Sequence, residues 1–209
     1  MSTPPYRADR TALVLVDLLN DFFADDGKLN GHIAPMLKAT DLTARLAHLI
    51  EKSRQAGVTL LYCPHGLDEH SFDDVTSVPP VFQAGLDNHV FWKGSYGGAF
   101  YEPLKPQQGD IVISHHRMFD SFTATDLDHQ LQAHGIERVV LAGLTAQTCV
   151  EGTGRHALEA GYHVTYLTDA VADFTEAAQR AALDVSYPTF GHTVTTIDEF
   201  IAAIAAATA

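Results

Sequence analysis

Three residue types that together can activate a nucleophile stand at the ends of apolar runs in this chain. Asp17 closes "TALVLVD", the pair His115–His116 closes "DIVIS", and Cys149 lies just past "RVVLAG", where a helix is about to start. A carboxylate can take the proton of a thiol, an imidazole can support the charge, and a helix N-terminus lowers a thiol pKa through its dipole and free N–H groups. That combination predicts nucleophilic cysteine chemistry. Each residue also has an ordinary structural use. A cysteine at a helix start is commonly inert packing, Asp17 would cap a turn, and Asn20 and Asp21 suit Asx-turns. Paired histidines at a strand end are commonly exposed polar residues. Convergence decides between the two readings, and convergence depends on the elements that carry the residues.

Short β-branched apolar runs predict six strands, at Thr11–Leu18, Val58–Cys63, Asp110–Ser114, Arg138–Gly143, His163–Ala170 and His192–Thr196. Between them, Leu42, Leu46, Leu49 and Ile50 fall at helical spacing, with Asp41 as a candidate cap and Gly57 as a stop. Further helices are expected in "ATDLDHQLQAHG", "TCVEGTGRHALEAG", "TEAAQRAALDVSY" and "IDEFIAAIAAATA". Alternating strands and helices predict an α/β fold, a three-layer αβα arrangement around a six-stranded, mostly parallel sheet. In such sheets reacting groups gather at the carboxyl ends of the strands, where Asp17, the histidine pair and Cys149 all fall.

One segment breaks the rhythm. Residues 64–109 form a long insertion, rich in aromatic residues (Phe72, Phe82, Phe91, Trp92, Tyr96, Phe100), which predicts an ordered lid or pocket wall. The chain's 209 residues, 46% of them hydrophobic, suit one domain spanning 1–209. With 13 basic against 26 acidic residues and no Lys/Arg cluster, a nucleic-acid surface is not expected. Two cysteines are too few for a disulfide framework, and they lack the spacing of a structural zinc site. No signal pattern and no run approaching the ~20 apolar residues of a membrane span is present, so no membrane partner and a cytoplasmic location are expected.

"LVLVDLLNDF" resembles the first-strand signature of the isochorismatase-like cysteine hydrolases, the group holding nicotinamidases and N-carbamoylsarcosine amidases. "LAGLTAQTCVEGTGRHALEAGYHVTYLTDA" is similar to that family's nucleophile motif, and "GDIVISHHRMFDSFTATDLDHQLQAHGI" to the segment supplying its third catalytic residue. The likeness runs from about Ala12 to Phe200 and is loosest over residues 64–96. It implies an Asp–Lys–Cys triad on a six-stranded parallel sheet, with Asp17 on the general base and Cys149 on the nucleophile. It also implies a cis Leu144–Thr145 peptide that turns the Thr145 N–H toward the same point as the Cys149 N–H, an oxyanion hole.

The lysine is the departure. Counted from Gly109-Asp110 the position falls on His115; counted back from Phe122 and Thr125-Asp126 it falls on His116, the preferred assignment because the downstream motif is longer. Lys93 is a further alternative. A histidine supports a thiolate and a carboxylate only while protonated, so steeper pH dependence is expected than with lysine. The resemblance therefore implies hydrolysis of a small amide-type C–N bond through a thioester, with no cofactor. Isochorismate-type vinyl ether hydrolysis and an inactive binding or scaffold member remain the alternatives. Nicotinamidases of the group bind a divalent metal through an Asp-x-His and a later His. Here Cys63, His65 and His70 occupy that stretch without the aspartate, and no metal is expected. Phe22, His65, Trp92, Tyr96, Phe119 and Phe122 are the candidate pocket wall for a small-molecule substrate, small, flat or uncharged. The apolar terminal helix suggests a homo-oligomer.

Overall fold

Strands buried on both faces carry continuous apolar runs rather than alternation, and the two central strands have that character along their whole length. They are β1 (Thr11–Val16) and β4 (Arg138–Leu144), each with every residue buried. The computed structural model describes residues 6–208. The other strands are β2 (Thr59–Cys63), β3 (Ile111–Val112), β5 (His163–Ala172) and β6 (Thr193–Thr195). The sheet order is β3-β2-β1-β4-β5-β6, and every neighbouring pair is parallel. Helices α1 (Asn20–Phe23), α2 (Asn30–Ala39), α3 (Leu42–Gln55), α4 (Pro80–Asp87), α5 (Leu127–Ala133), α6 (Glu151–Glu159), α7 (Glu176–Ala181), α8 (Tyr187–Phe190) and α9 (Ile197–Thr208) follow in chain order.

Successive strand residues point to opposite faces, which divides the core in two. Leu13, Leu15, Leu60, Tyr62 and Val140 pack with α2, α3 and α9 on one face. Ala12, Val14, Leu61, Val139 and Leu141 pack with α5, α6 and α8 on the other. Leu42, Leu46 and Leu49, the helical stripe read from the sequence, are fully buried, and each contributes roughly 1.5–3 kcal/mol of burial. Asp41 does not cap α3 with its side chain; it sits at φ 50° and its backbone carbonyl accepts from the Arg45 N–H.

The chain runs outward from β1 to β2 and β3, then returns to lay β4 against the other side of β1. That reversal opens a crevice at the carboxyl ends of β1 and β4. Strand ends differ from expectation near it, and β1 stops at Val16 rather than Leu18 because Asp17 turns into the left-handed region. β3 is shorter because Asp126 Oδ1 accepts from both the Ser114 N–H (2.7 Å) and its hydroxyl, drawing Ser114 out of the ladder. Contact with the β2 side then resumes, with His116 N donating to the Pro64 carbonyl and Gly66 N to the His116 carbonyl. β5 runs two residues longer than read, past an irregularity opposite Leu141–Gly143. Within residues 64–109, Leu67, Phe72 and Phe82 form a satellite cluster of their own. Among the described residues, no helix is long and apolar enough to cross a membrane.

Candidate active site

Asp17 follows β1 directly in the left-handed region, at φ 57°, a conformation that aspartate tolerates better than most side chains. The turn drives its carboxylate under the sheet edge, where it is fully buried. Oδ1 accepts two hydrogen bonds, from the His65 backbone N–H at 2.7 Å and from His116 Nε2 at 2.9 Å. Oδ2 has no hydrogen-bond partner. A buried carboxylate oxygen left free is costly unless something else uses it.

Cys149 approaches the same carboxylate from β4. Gly143 (φ 118°) lets β4 pass tightly against β1, since a Cβ there would lie 2.1 Å from the Val16 carbonyl oxygen. The Leu144–Thr145 peptide is cis. Ala146–Val150 then form a wide π-type turn, in which the Val150 N–H reaches the Thr145 carbonyl at 3.2 Å. Cys149 is 6% exposed. Thr148 Oγ1 lies 3.9 Å from Sγ and is itself bonded to Thr145 Oγ1, and both Thr148 and the Thr145 backbone act to lower the thiol pKa. Sγ and Asp17 influence each other's titration, although no hydrogen bond of ordinary geometry joins them.

The electrostatics define the resting state. Burial pushes Asp17 up, but the charge and hydrogen bond of His116 outweigh it and hold the carboxyl below its usual range. Burial pulls His116 down, but the Asp17 charge and hydrogen bond, helped by the Met118 carbonyl that accepts from Nδ1 at 2.8 Å, raise it above 6.5. The two side chains are a fully buried ion pair. Burial and then the Asp17 charge push the Cys149 thiol well above its ordinary value. This corrects the expectation of a thiol activated by its helix: the resting sulfur carries its proton, beside a free carboxylate oxygen.

The alternatives for the third position lie elsewhere. The His115 ring folds over Gly66, on the opposite side of an extended segment, and is exposed. Lys93 pairs with Asp68 at 2.7 Å. The weak metal candidates do not come together either. Cys63 is buried in the core face, His65 lines the cavity, and His70 bonds Asp73 at the surface. Among the described residues, no group of three or more His, Cys, Asp or Glu is arranged to hold a metal. The metal arrangement of the nicotinamidases is therefore not reproduced by these side chains.

Above Cys149 opens a cavity of about 720 Å³. Its wall is a continuous belt of rings, Phe174–Phe22–Phe91–His65–Phe82–Phe119, with successive centroids 6.0, 4.9, 5.0, 6.1 and 4.7 Å apart. Phe91 is held at φ 51° by its N–H, which donates to Asp21 Oδ2 at 2.6 Å. Asp21 Oδ1 accepts from the Lys28 N–H, so one buried carboxylate joins both flanks of the cavity. Burial and the neighbouring His116 charge bring His65 down to about 3, so its ring is neutral.

The loop carrying His116 and Phe119 rests on α6 at Gly152, where a Cβ would fall 2.2 Å from the Phe119 carbonyl oxygen. Gly152→Ala is expected to cost about 1–3 kcal/mol through overpacking and to lower turnover by displacing that loop. Urea unfolding checks the first and steady-state rates the second; unchanged values of both would contradict this packing.

The Isochorismatase domain family matches residues 11–198. The chain belongs to the isochorismatase family. It is 29% identical over 213 residues to the ureidoacrylate amidohydrolase RutB of Variovorax paradoxus, covering 97% of this chain and 84% of that protein. Among solved structures, a cysteine hydrolase from Pseudomonas syringae pv. phaseolicola superposes with a TM-score of 0.84 at 26% identity, over 99% of this chain and 100% of that one. The N-carbamoylsarcosine amidase of Thermoplasma acidophilum gives a TM-score of 0.66 at 26% identity, over 90% and 97%.

On this isochorismatase-family frame the structure gathers Asp17, His116, Thr145 and Cys149 at one point. Phe22, His65 and Phe119 line the cavity, but Trp92, Tyr96 and Phe122 do not. Trp92 packs beside the satellite cluster and against His89. Tyr96 is 58% exposed, with its hydroxyl toward Asp26. Phe122 stacks on His156 at 4.6 Å, behind the site. Phe82 and Phe91, expected only as aromatic members of the inserted segment, line the cavity, as do Phe174 and Thr148, which were not among the sequence candidates.

Proposed function

We propose that the protein is an amide hydrolase working through a thioester on Cys149. The observation that carries this reading is the unpartnered Oδ2 of an Asp17 carboxylate that is buried in an ion pair with His116 and raises the pKa of the Cys149 thiol. Oδ2 takes the thiol proton as Sγ attacks the amide carbonyl carbon, so no free thiolate is needed beforehand. The carbonyl oxygen takes up the electron pair and is stabilised by the Thr145 and Cys149 N–H groups. Asp17 then passes its proton to the departing nitrogen, leaving a thioester. A water, deprotonated by Asp17, cleaves that thioester and restores the thiol. His116, as imidazolium in the place where the family carries lysine, keeps Asp17 ionised between these transfers. RutB and N-carbamoylsarcosine amidase, named for amide-type substrates, support the choice of a C–N bond.

Ammonia release from a panel of primary amides, followed across pH, tests the reading. Asp17 titrates below its unfolded value of 3.8 and His116 above its unfolded 6.5. Activity is therefore expected to be full between those limits, falling on the acid side as Asp17 protonates and on the alkaline side as His116 loses its proton. His116→Lys is expected to carry the alkaline limb upward, toward the ~10.4 of a lysine. An alkaline limb that stays in place in the variant would remove His116 from this role.

A further inference from the structure

We infer that the cavity selects an uncharged amide whose acyl side carries a bulky apolar group, aryl or branched alkyl, rather than a small ureido acid. The identity of the bond cleaved rests on the amidase reading; the class of ligand rests on the wall. Among the described residues lining the cavity there is no aspartate, glutamate or arginine, and Lys28 is the single lysine. Its Nζ is engaged by the Asn88 and His89 backbone carbonyls, at 2.9 and 2.6 Å, where it ties the loop before α2 to the end of α4. His65, the polar member of the ring belt, is neutral, and His32 sits at the exposed rim.

A carboxylate entering this space would shed water among phenyl rings, and the one lysine of the wall, Lys28, is already held by two backbone carbonyls. The formal charge of −13 adds a field that opposes anions before they arrive. A quaternary ammonium would meet ring faces that can attract it, but no carboxylate on the wall completes such a site. The volume, about 720 Å³, lies in the range that encloses drug-sized ligands, so an acyl group of one or two carbons would leave the belt unfilled. Ureidoacrylate, the compound named in the RutB relatives, bears a carboxylate and has no bulky apolar part, so this chain parts from them in specificity.

Four probes test this: phenylacetamide bearing para-tert-butyl, para-carboxylate or para-trimethylammonium, and acetamide. Ammonia release is measured with the unmodified protein, and binding by calorimetry with Cys149→Ser. The tert-butyl probe is expected to exceed each of the others at least about tenfold in kcat/KM and in affinity. Equal or better handling of a charged probe or of acetamide overturns the inference, as does failure of the tert-butyl probe to bind. Tight binding of that probe with no ammonia released from any of the four upholds the ligand class and instead overturns the amidase reading.

Discussion

Cys149→Ser is expected to lower kcat for amide hydrolysis by roughly 10⁴-fold or more, equivalent to about 5 kcal/mol of transition-state stabilisation. The substitution changes one atom and keeps a proton for Asp17 Oδ2 to accept, so loss of activity would reflect the nucleophile and not the fold. The thiol is held protonated by burial and by the Asp17 charge. A serine hydroxyl is far more basic once deprotonated, and the same carboxylate could not extract its proton at a useful rate. Binding of an uncharged amide should survive, since Cys149 is one contact among a wall of rings. Steady-state kinetics alongside calorimetry separate the two effects. A serine variant within tenfold of the parent would place the nucleophile elsewhere.

Asp17→Asn is expected to lower kcat by roughly 10³-fold, within the range a general base contributes. Asparagine fits the left-handed backbone at this position and keeps an acceptor for the His65 N–H. What it loses is the charge. His116 then loses the main influence raising its pKa, and a buried imidazolium without a counter-ion gives up its proton. The stability of the pair follows from the same directions. The Asp17 contribution is present above pH 3.8 and lost as pH falls through its lower folded value. The His116 contribution is present below pH 6.5 and lost as pH rises through its higher folded value. The stability difference between parent and variant should thus be greatest between those limits and shrink on both sides. Urea unfolding at several pH values, with activity at each, measures both; a pH-independent difference would mean that the pair is not ionised.

The residues that meet at the site were legible because each lies shortly past the end of an apolar strand. Asp17 and Cys149 needed no more than strand ends and the parallel-sheet rule. His115 and His116 were not separable by counting, because the counts from the two flanking motifs differ by one residue. Adjacent residues of an extended segment face opposite ways, and the bonds of His116 to Pro64 and Gly66 settle which of the two faces Asp17. The cavity wall was harder to read. In "VFWKGSY" the sequence favours the larger Trp92 over its neighbour, but the positive φ of Phe91 turns the smaller ring inward. Phe174 was missed because β5 was ended at Ala170. The pairing of β5 with β4 resumes at Val171 and Ala172, carrying "DF" to the sheet edge beside the site. The lowered pKa expected of a helix-end thiol was outweighed by two influences no local pattern records, burial of the sulfur and proximity of a carboxylate from a distant strand.

The most direct test is acyl transfer from the sulfur. During turnover of an apolar primary amide, rapid acid quench and intact mass analysis should reveal protein heavier by the amide minus ammonia. Peptide mapping should locate the added group on Cys149, and hydroxylamine should divert it to a hydroxamate. Ammonia released at the full rate with no adduct on Cys149 and no hydroxamate formed would contradict the thioester account.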